Sequence, residues 1–166
     1  ASDMQQLIRE FDFAKFSRAP ANFDVEEVRK LNAKILHSLS FGAVKDKLDV
    51  PIDAAFWHSV RANISALEEV KEWWDVIQTD PNHTPAAEDA DYLAKAAELL
   101  PAEPWDSGTF SNWTSSLKDA TGRKGKQLFM PLRLALTGMT SGPELKTLLP
   151  LLGRQTVLTR LGTHNP

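Results

Sequence analysis

The chain has 166 residues, of which 42% are hydrophobic and 25% charged, and it contains no cysteine. This composition is typical of a globular protein long enough to bury a core, and the lack of thiols excludes disulfide bonds and thiolate metal sites. No run of about 18 apolar residues and no signal-peptide pattern occurs, so we expect no contact with a membrane and a cytoplasmic location.

The net charge of −3 is distributed unevenly along the chain. Residues 1–114 carry 11 Lys and Arg against 20 Asp and Glu, whereas residues 115–166 carry 8 against 2. Such a split favours a cationic end that meets an anionic partner. The alternative is a solvated basic helix surface that binds nothing.

Apolar residues recur at helical spacing through the N-terminal half, and no segment alternates as a strand would. We predict that Leu7 and Ile8 face inward from the first helix. Asp24 is the predicted N-cap of the next helix, with Glu27 completing a capping box. The predicted helices of this half are residues 2–11, 24–41, 43–50 and 53–78, with a loop at 13–23 and a break near 61–64.

Residues 79–87, TDPNHTPAA, have the composition of a linker, and we place a domain boundary between residues 1–78 and 79–166. The helices predicted beyond it are residues 88–100, 108–120, 124–136, 144–152 and 154–161. The sequence therefore predicts an all-α fold made of two consecutive helical-bundle subdomains.

Signatures of catalysis are absent or weak. None of the histidines has the spacing of a zinc site. Ser115 to Lys118 fits the S-x-x-K pattern, but no supporting motif of a serine hydrolase follows. Gly122 to Lys126, GRKGK, lacks the spacing of a phosphate-binding loop. We therefore predict no catalytic residue, no metal ligand and no cofactor in this chain.

The five tryptophans allow two interpretations, packing in the core or stacking on nucleobases. We predict core packing for Trp57, Trp74 and Trp113, which lie on apolar stripes. Trp73 and Trp105 fit either role.

Cations cluster between residues 122 and 133. Arg123, Lys124 and Lys126 lie at or just before a predicted helix start, where free backbone N–H groups also attract anions. Arg133 follows in the helix body, and its planar fork suits paired contacts to a phosphate or a base edge. Pro131 either kinks this helix or marks the first turn of a new one. This combination is typical of proteins that bind single-stranded RNA loops.

Two strings in the chain resemble one known family. FMPLRLALTGMTSGPELKTLLPLLG at residues 129–153 is similar to the C-terminal anticodon-binding region of bacterial glutamyl-tRNA synthetases, in its PLRxALTG core, SGPEL turn and LLG ending. SRAPANFDVEEVRKLN at residues 17–32 resembles the SxSPAxFDxEKLxxLN segment that follows the catalytic core of these enzymes. The resemblance covers essentially the whole chain.

The resemblance implies two helical subdomains that grip the anticodon stem and loop of tRNA. The HIGH and KMSKS signatures of the catalytic domain do not occur here, so we expect glutamylation only from a full-length glutamate–tRNA ligase, whose missing domain uses ATP and Mg²⁺. The implied partner is tRNA rather than DNA, and we expect a monomer.

The resemblance also implies roles for individual residues. Arg133, of the PLR motif, contacts the anticodon loop, and the turn of Gly142, Pro143 and Leu145 lies against an anticodon base. We expect phosphate contacts from three cations that precede them: Arg123, Lys124 and Lys126.

One position departs from the family pattern. Members that strictly separate glutamate tRNA from glutamine tRNA have an arginine where this chain has Asn63. Asparagine is shorter and uncharged and cannot make the same fork to a base. We therefore expect relaxed discrimination between the two tRNAs. The alternative for the whole chain is a helical protein-docking module with a basic edge and no role in binding RNA.

Overall fold

The computed structural model describes residues 4–15, 24–81 and 83–162, and the predicted all-α class is confirmed: these residues form no strand. Much of the predicted loop at 13–23 and the first part of the motif at 17–32 lie outside the described residues. The α-helices of the described ranges are α1 Met4–Glu10, α2 Val25–Ser38, α3 Phe41–Val44, α4 Ala54–Val60, α5 Glu69–Gln78, α6 Ala90–Glu98, α7 Thr109–Thr121, α8 Lys126–Thr137, α9 Leu145–Leu152 and α10 Arg154–Arg160.

The predicted interruption of the long N-terminal pattern is confirmed. After α4 the chain passes through a short 3₁₀ helix, Arg61–Asn63, and α5 begins only at Glu69. The segment between them is held by α2, because a ring nitrogen of His37 lies 3.1 Å from the Ile64 carbonyl oxygen and the Asn32 amide donates to the Ser65 carbonyl. The second half of α2 is therefore hydrogen-bonded to the segment between α4 and α5.

The start of α2 differs in detail from the prediction. Asp24 does cap the helix, but its carboxylate accepts from the backbone N–H of Glu26 at 2.8 Å. Glu27 does not complete a capping box; it pairs with Lys30 at 2.7 Å, on the solvent side. The helix ends at Ser38, three residues before its predicted end, and residue 41 begins α3.

The apolar residues of α1 and most of those of α2 are exposed. The prediction that Leu7 and Ile8 face inward is wrong, since 51% and 62% of these residues are exposed. Amphipathic spacing indicates which face of a helix is apolar, but burial needs a second element, and the described residues supply none here. Four apolar residues of α2 are also exposed, namely Val25, Val28, Leu31 and Ile35, whereas Leu36, near the end that contacts the break, is buried.

Apart from Leu36 of α2, the buried core residues come from the segment that runs from α3 to just after α10. Its fully buried side chains include Trp57 on α4, Trp113 on α7, Leu132 on α8 and Leu148 on α9. Buried residues from both sides of residue 78 belong to one hydrophobic cluster. The boundary between residues 1–78 and 79–166 stays a prediction.

Arg160 fastens the end of α10 to two other parts of the core. Only 8% of this residue is exposed. Its guanidinium donates to the carbonyl oxygens of Leu136 at 2.7 Å, Ile77 at 3.1 Å and Thr79 at 2.6 Å. These bonds satisfy the two terminal nitrogens of the buried cation, whereas Nε has no hydrogen-bond partner among the described residues and lies 3.7 Å from the Asp80 carboxylate. The result is a fixed connection between α5, α8 and α10.

Core packing of Trp57 and Trp113 is confirmed, since they are 0% and 1% exposed. Their indole N–H groups donate to the carbonyls of Leu39 at 3.0 Å and Ala96 at 2.9 Å. Trp74 is half-buried and packs against the edge of Phe56.

Candidate nucleic-acid interface

The candidate interface is built on α8 and on the turns at its two ends. The helix begins after Gly125, at φ 52°, and ends at Gly138, at φ 70°; both are conformations that favour glycine. Pro131 lies inside α8, beyond its first turn, which excludes the alternative that it starts a new helix. The helix is anchored in the core by side chains on one face, which are Leu128, Leu132, Ala135 and Leu136.

Arg123 is held by α6 and the residues just before it. Its guanidinium forms an ion pair with Asp89, donates to the Glu88 carbonyl at 2.9 Å and lies 4.3 Å from the centre of the Tyr92 ring. The Tyr92 hydroxyl in turn donates to the Leu128 carbonyl at the start of α8. Arg123 therefore has a structural role that the sequence did not reveal, in addition to any contact with an anion.

Lys124 and Lys126 are exposed, and neither forms an ion pair within the described ranges. Lys126 lines a cleft of about 580 Å³ that also contains Glu88 and Asp89, so the charges of that cleft are mixed. Lys124 lines a pocket of about 290 Å³ together with Lys118, and no carboxylate lines it. The Lys124 side is the more favourable of the two for a phosphate.

Arg133 is half-buried where α8 faces the start of α9. Its Nη2 donates to the Pro143 carbonyl oxygen at 2.9 Å. Its Nη1 is buried and has no hydrogen-bond partner among the described residues. Burial lowers the pKa of Arg133 from its usual value, although a guanidinium stays charged at neutral pH. Among the described residues, no carboxylate forms an ion pair with it.

The turn between α8 and α9 is packed against α5. A Cβ added to Gly142, which has φ 135°, would lie 2.0 Å from Cη2 of Trp73. Trp73 is 7% exposed, which resolves its two possible roles in favour of packing. Pro143 is buried and Leu145 is 5% exposed, so both side chains brace the turn from inside.

Arg133 and Leu145 line a common pocket of about 250 Å³ with Glu144 and Lys146. The same pocket contains two phenylalanines, Phe110 from α7 and Phe129 from α8, which the sequence did not single out as site residues. Helical periodicity could have identified Phe129, because it falls outside the buried stripe of α8.

The other predicted site residue lies elsewhere. Asn63 is exposed at the end of the 3₁₀ helix Arg61–Asn63 and is not among the residues that line the pocket of Arg133. Within the described residues, no group of His, Cys, Asp or Glu could hold a metal ion. No described helix has the length and apolar character needed to cross a bilayer.

Comparisons with known proteins agree on one family. The family model described as the anticodon binding domain matches residues 44–164. Glutamate–tRNA ligase 1 of Rhizorhabdus wittichii is 45% identical over 160 residues, and glutamate–tRNA ligase 1 of Maricaulis maris is 47% identical over 163 residues. Each alignment covers 96% of this chain and 36% of the relative. The chain thus spans about a third of the length of these curated relatives.

A solved structure gives the same fold. The crystal structure of a glutamate tRNA ligase from Elizabethkingia meningosepticum, in complex with its amino acid, superposes with a TM-score of 0.78 at 19% identity. The match covers 96% of this chain and 36% of the other. The family model covers most of the residues of this chain, and the fold agrees with it. This chain therefore belongs to the anticodon binding domain family.

Proposed function

We propose that this chain binds the anticodon stem and loop of a tRNA, as the anticodon-binding part of a glutamate–tRNA ligase. The observation that carries the proposal is the state of Arg133. It is positioned by the Pro143 carbonyl, lines a pocket with the exposed Lys146 and forms no ion pair with a carboxylate of the described ranges. A guanidinium fixed in this way is suited to hydrogen-bond a base edge or a phosphate.

We distinguish two kinds of RNA contact, those to phosphates and those to base edges. Lys124 and Lys126 are free to approach phosphates, and Arg123 supports them from its position between Asp89 and Tyr92. Phosphate contacts position an RNA but carry no sequence information, whereas contacts to base edges specify it. Arg133 and the turn of Gly142, Pro143 and Leu145 supply the specific contacts.

In the full-length ligase, we propose, this chain holds the tRNA while a separate catalytic domain performs ATP-dependent glutamylation. ATP and Mg²⁺ would bind in that domain, and the residues of this chain supply only RNA contacts. The protein acts on tRNA rather than DNA, in the cytoplasm and as a monomer.

Asn63 bears on which tRNAs are accepted. Its side chain is exposed and short and carries no charge. We propose that this position does not reject glutamine tRNA as an arginine would, so that the ligase accepts both tRNAs.

The proposed function is tested by binding of the chain to labelled anticodon stem–loops, measured by fluorescence anisotropy. One RNA carries a glutamate anticodon, and its control differs only in those three bases. We expect the cognate RNA to bind about tenfold or more tightly, which is the size of one good base contact. Equal affinity for the two RNAs, or no binding to either, would contradict the proposal and favour a protein-docking module.

A further inference from the structure

We propose that Phe129, supported by Phe110, is a stacking platform for one unpaired base of the tRNA loop. The inference rests on the proposed function and adds a binding residue to it. The ligand is a single nucleobase, whose face lies on the Phe129 ring while its edge faces Arg133.

Phe129 is unusual among the apolar residues of α8. It is 43% exposed, whereas its neighbour Leu128 is 3% exposed and Leu132 is fully buried. An exposed aromatic ring on an otherwise anchored helix has no role in the core. Its exposure leaves a flat apolar surface that a planar ligand can cover.

The ring is held rigidly. Phe110 lies against Phe129 with ring centroids 6.3 Å apart and planes inclined by 29°. Phe110 in turn forms a T-shaped contact with Trp113, with ring centroids 6.2 Å apart, and Trp113 is buried with its indole N–H donating to the Ala96 carbonyl. Such a chain of packed rings connects the exposed surface to the core, so that stacking on Phe129 costs little additional ordering of the protein.

Phe129 separates two cationic pockets. On one side it lines the pocket of about 250 Å³ that contains Arg133 and Lys146. On the other side it lines the pocket of about 290 Å³ that contains Lys118 and Lys124. A nucleotide within an RNA strand has the matching construction, a flat base whose edge can face Arg133 and a phosphate that can lie near Lys118 and Lys124. Proteins that bind single-stranded RNA combine stacking rings and backbone-directed cations in this manner.

The chemistry of the first pocket also favours a base over a bare phosphate or an acidic peptide. Arg133 donates hydrogen bonds, the Glu144 carboxylate accepts them, and Leu145 contributes an apolar wall. A base edge presents acceptors and donors together, and its face needs an apolar surface. A phosphate or a carboxylate would gain nothing from the ring and would be repelled by Glu144.

The test compares variants at Phe129 for binding to the cognate anticodon stem–loop. Phe129→Ala should weaken binding by roughly fivefold to a hundredfold, the range of one stacked base. Phe129→Trp should restore it, because stacking is preserved, whereas Phe129→Leu should not, because it keeps apolar area without a ring. Phe11→Ala is the matched control, since Phe11 is a phenylalanine that is 57% exposed and lines neither pocket.

A second readout locates the base. The fluorescent base 2-aminopurine is placed in turn at each anticodon position, and we expect its emission to change on binding at one position and to stop responding in Phe129→Ala. Thermal unfolding measured by circular dichroism shows whether the variants are folded. If Phe129→Ala is unfolded, the affinities of Phe129→Leu and Phe129→Trp decide whether a ring is needed.

The outcomes separate the two proposals. Wild-type affinity in Phe129→Ala or Phe129→Leu, together with weakened binding in Arg133→Ala, would overturn the stacking platform and leave the proposed function intact. A wild-type chain that does not respond to the anticodon would overturn the proposed function and the platform with it.

Discussion

The two turns that flank α8 are built in opposite ways. The opening turn, residues 122–125, is open: a Cβ added to Gly122 or Gly125 would meet no atom within 4 Å. The closing turn, residues 138–144, is packed: a Cβ on Gly138 would lie 3.2 Å from Pro81, and one on Gly142 would overlap Trp73.

This difference matches the two kinds of work that RNA recognition requires. Exposed lysines at an open turn attract phosphates over a distance and tolerate many geometries. A base edge is read only by a group whose position is fixed, and the packed turn fixes Arg133 through the Pro143 carbonyl. We infer that the opening turn supplies general affinity and the closing turn supplies specificity.

The largest effect that would distinguish the turns is expected from Gly142→Ala. The new methyl group would overlap Trp73 in a backbone conformation that disfavours alanine, and we expect a loss of about 3 kcal/mol in the free energy of unfolding. Gly122→Ala is the matched control, because its φ of 70° is also unfavourable but its surroundings are empty, and it should cost about 1 kcal/mol. Urea denaturation measures both, and equal costs would contradict the packed nature of the closing turn.

Arg133→Ala should weaken binding to the cognate stem–loop by about 1–3 kcal/mol, because a specific contact is lost. Binding to the anticodon-replaced RNA should change much less. Arg133→Lys should not restore affinity, since an ammonium cannot reproduce the planar fork held by Pro143. Full recovery in the lysine variant, measured by anisotropy, would show that only the charge matters.

Lys124→Ala should have a smaller effect that is the same for every RNA. Each lost phosphate contact is expected to flatten the dependence of log K on log salt by about 0.7 to 0.9. Lys30→Ala serves as the control, since Lys30 is also exposed but pairs with Glu27 on α2. An unchanged salt slope in Lys124→Ala would contradict a phosphate contact at the opening turn.

Asn63→Arg should affect only the choice between tRNAs. We expect the full-length ligase with this change to charge glutamine tRNA several-fold less well, while its charging of glutamate tRNA stays nearly constant. Strong rejection of glutamine tRNA by the unchanged ligase would contradict the proposed relaxation at once.

The helices of this chain could be predicted from the sequence because their signals are local: apolar spacing, the Asp24 cap and the break near residue 61. The contacts that shape the site are not local. Trp73 and Gly142 are far apart in sequence, and so are Arg123 and Asp89, and no periodic pattern indicates such pairs. The sequence identified Arg133 by its motif but gave no indication of the carbonyl that holds it.

The apolar face of α2 was predicted correctly as a pattern but not as a buried surface. The spacing of apolar residues shows which face of a helix is apolar, but it does not show whether another helix covers that face. For Phe129, residue type and helical position disagree. Its apolar side chain suggests burial, whereas its position on α8 places it outside the buried face.

The division of work between the two turns is tested most directly by a salt titration of cognate and anticodon-replaced stem–loops with the wild-type chain, Arg133→Ala and Lys124→Ala. For the wild type we expect two parallel lines of log K against log salt, separated by a constant offset. Arg133→Ala should remove the offset and keep the slope, and Lys124→Ala should flatten both lines and keep the offset. An offset that persists in Arg133→Ala, or disappears in Lys124→Ala, would contradict the assignment of specificity to the closing turn.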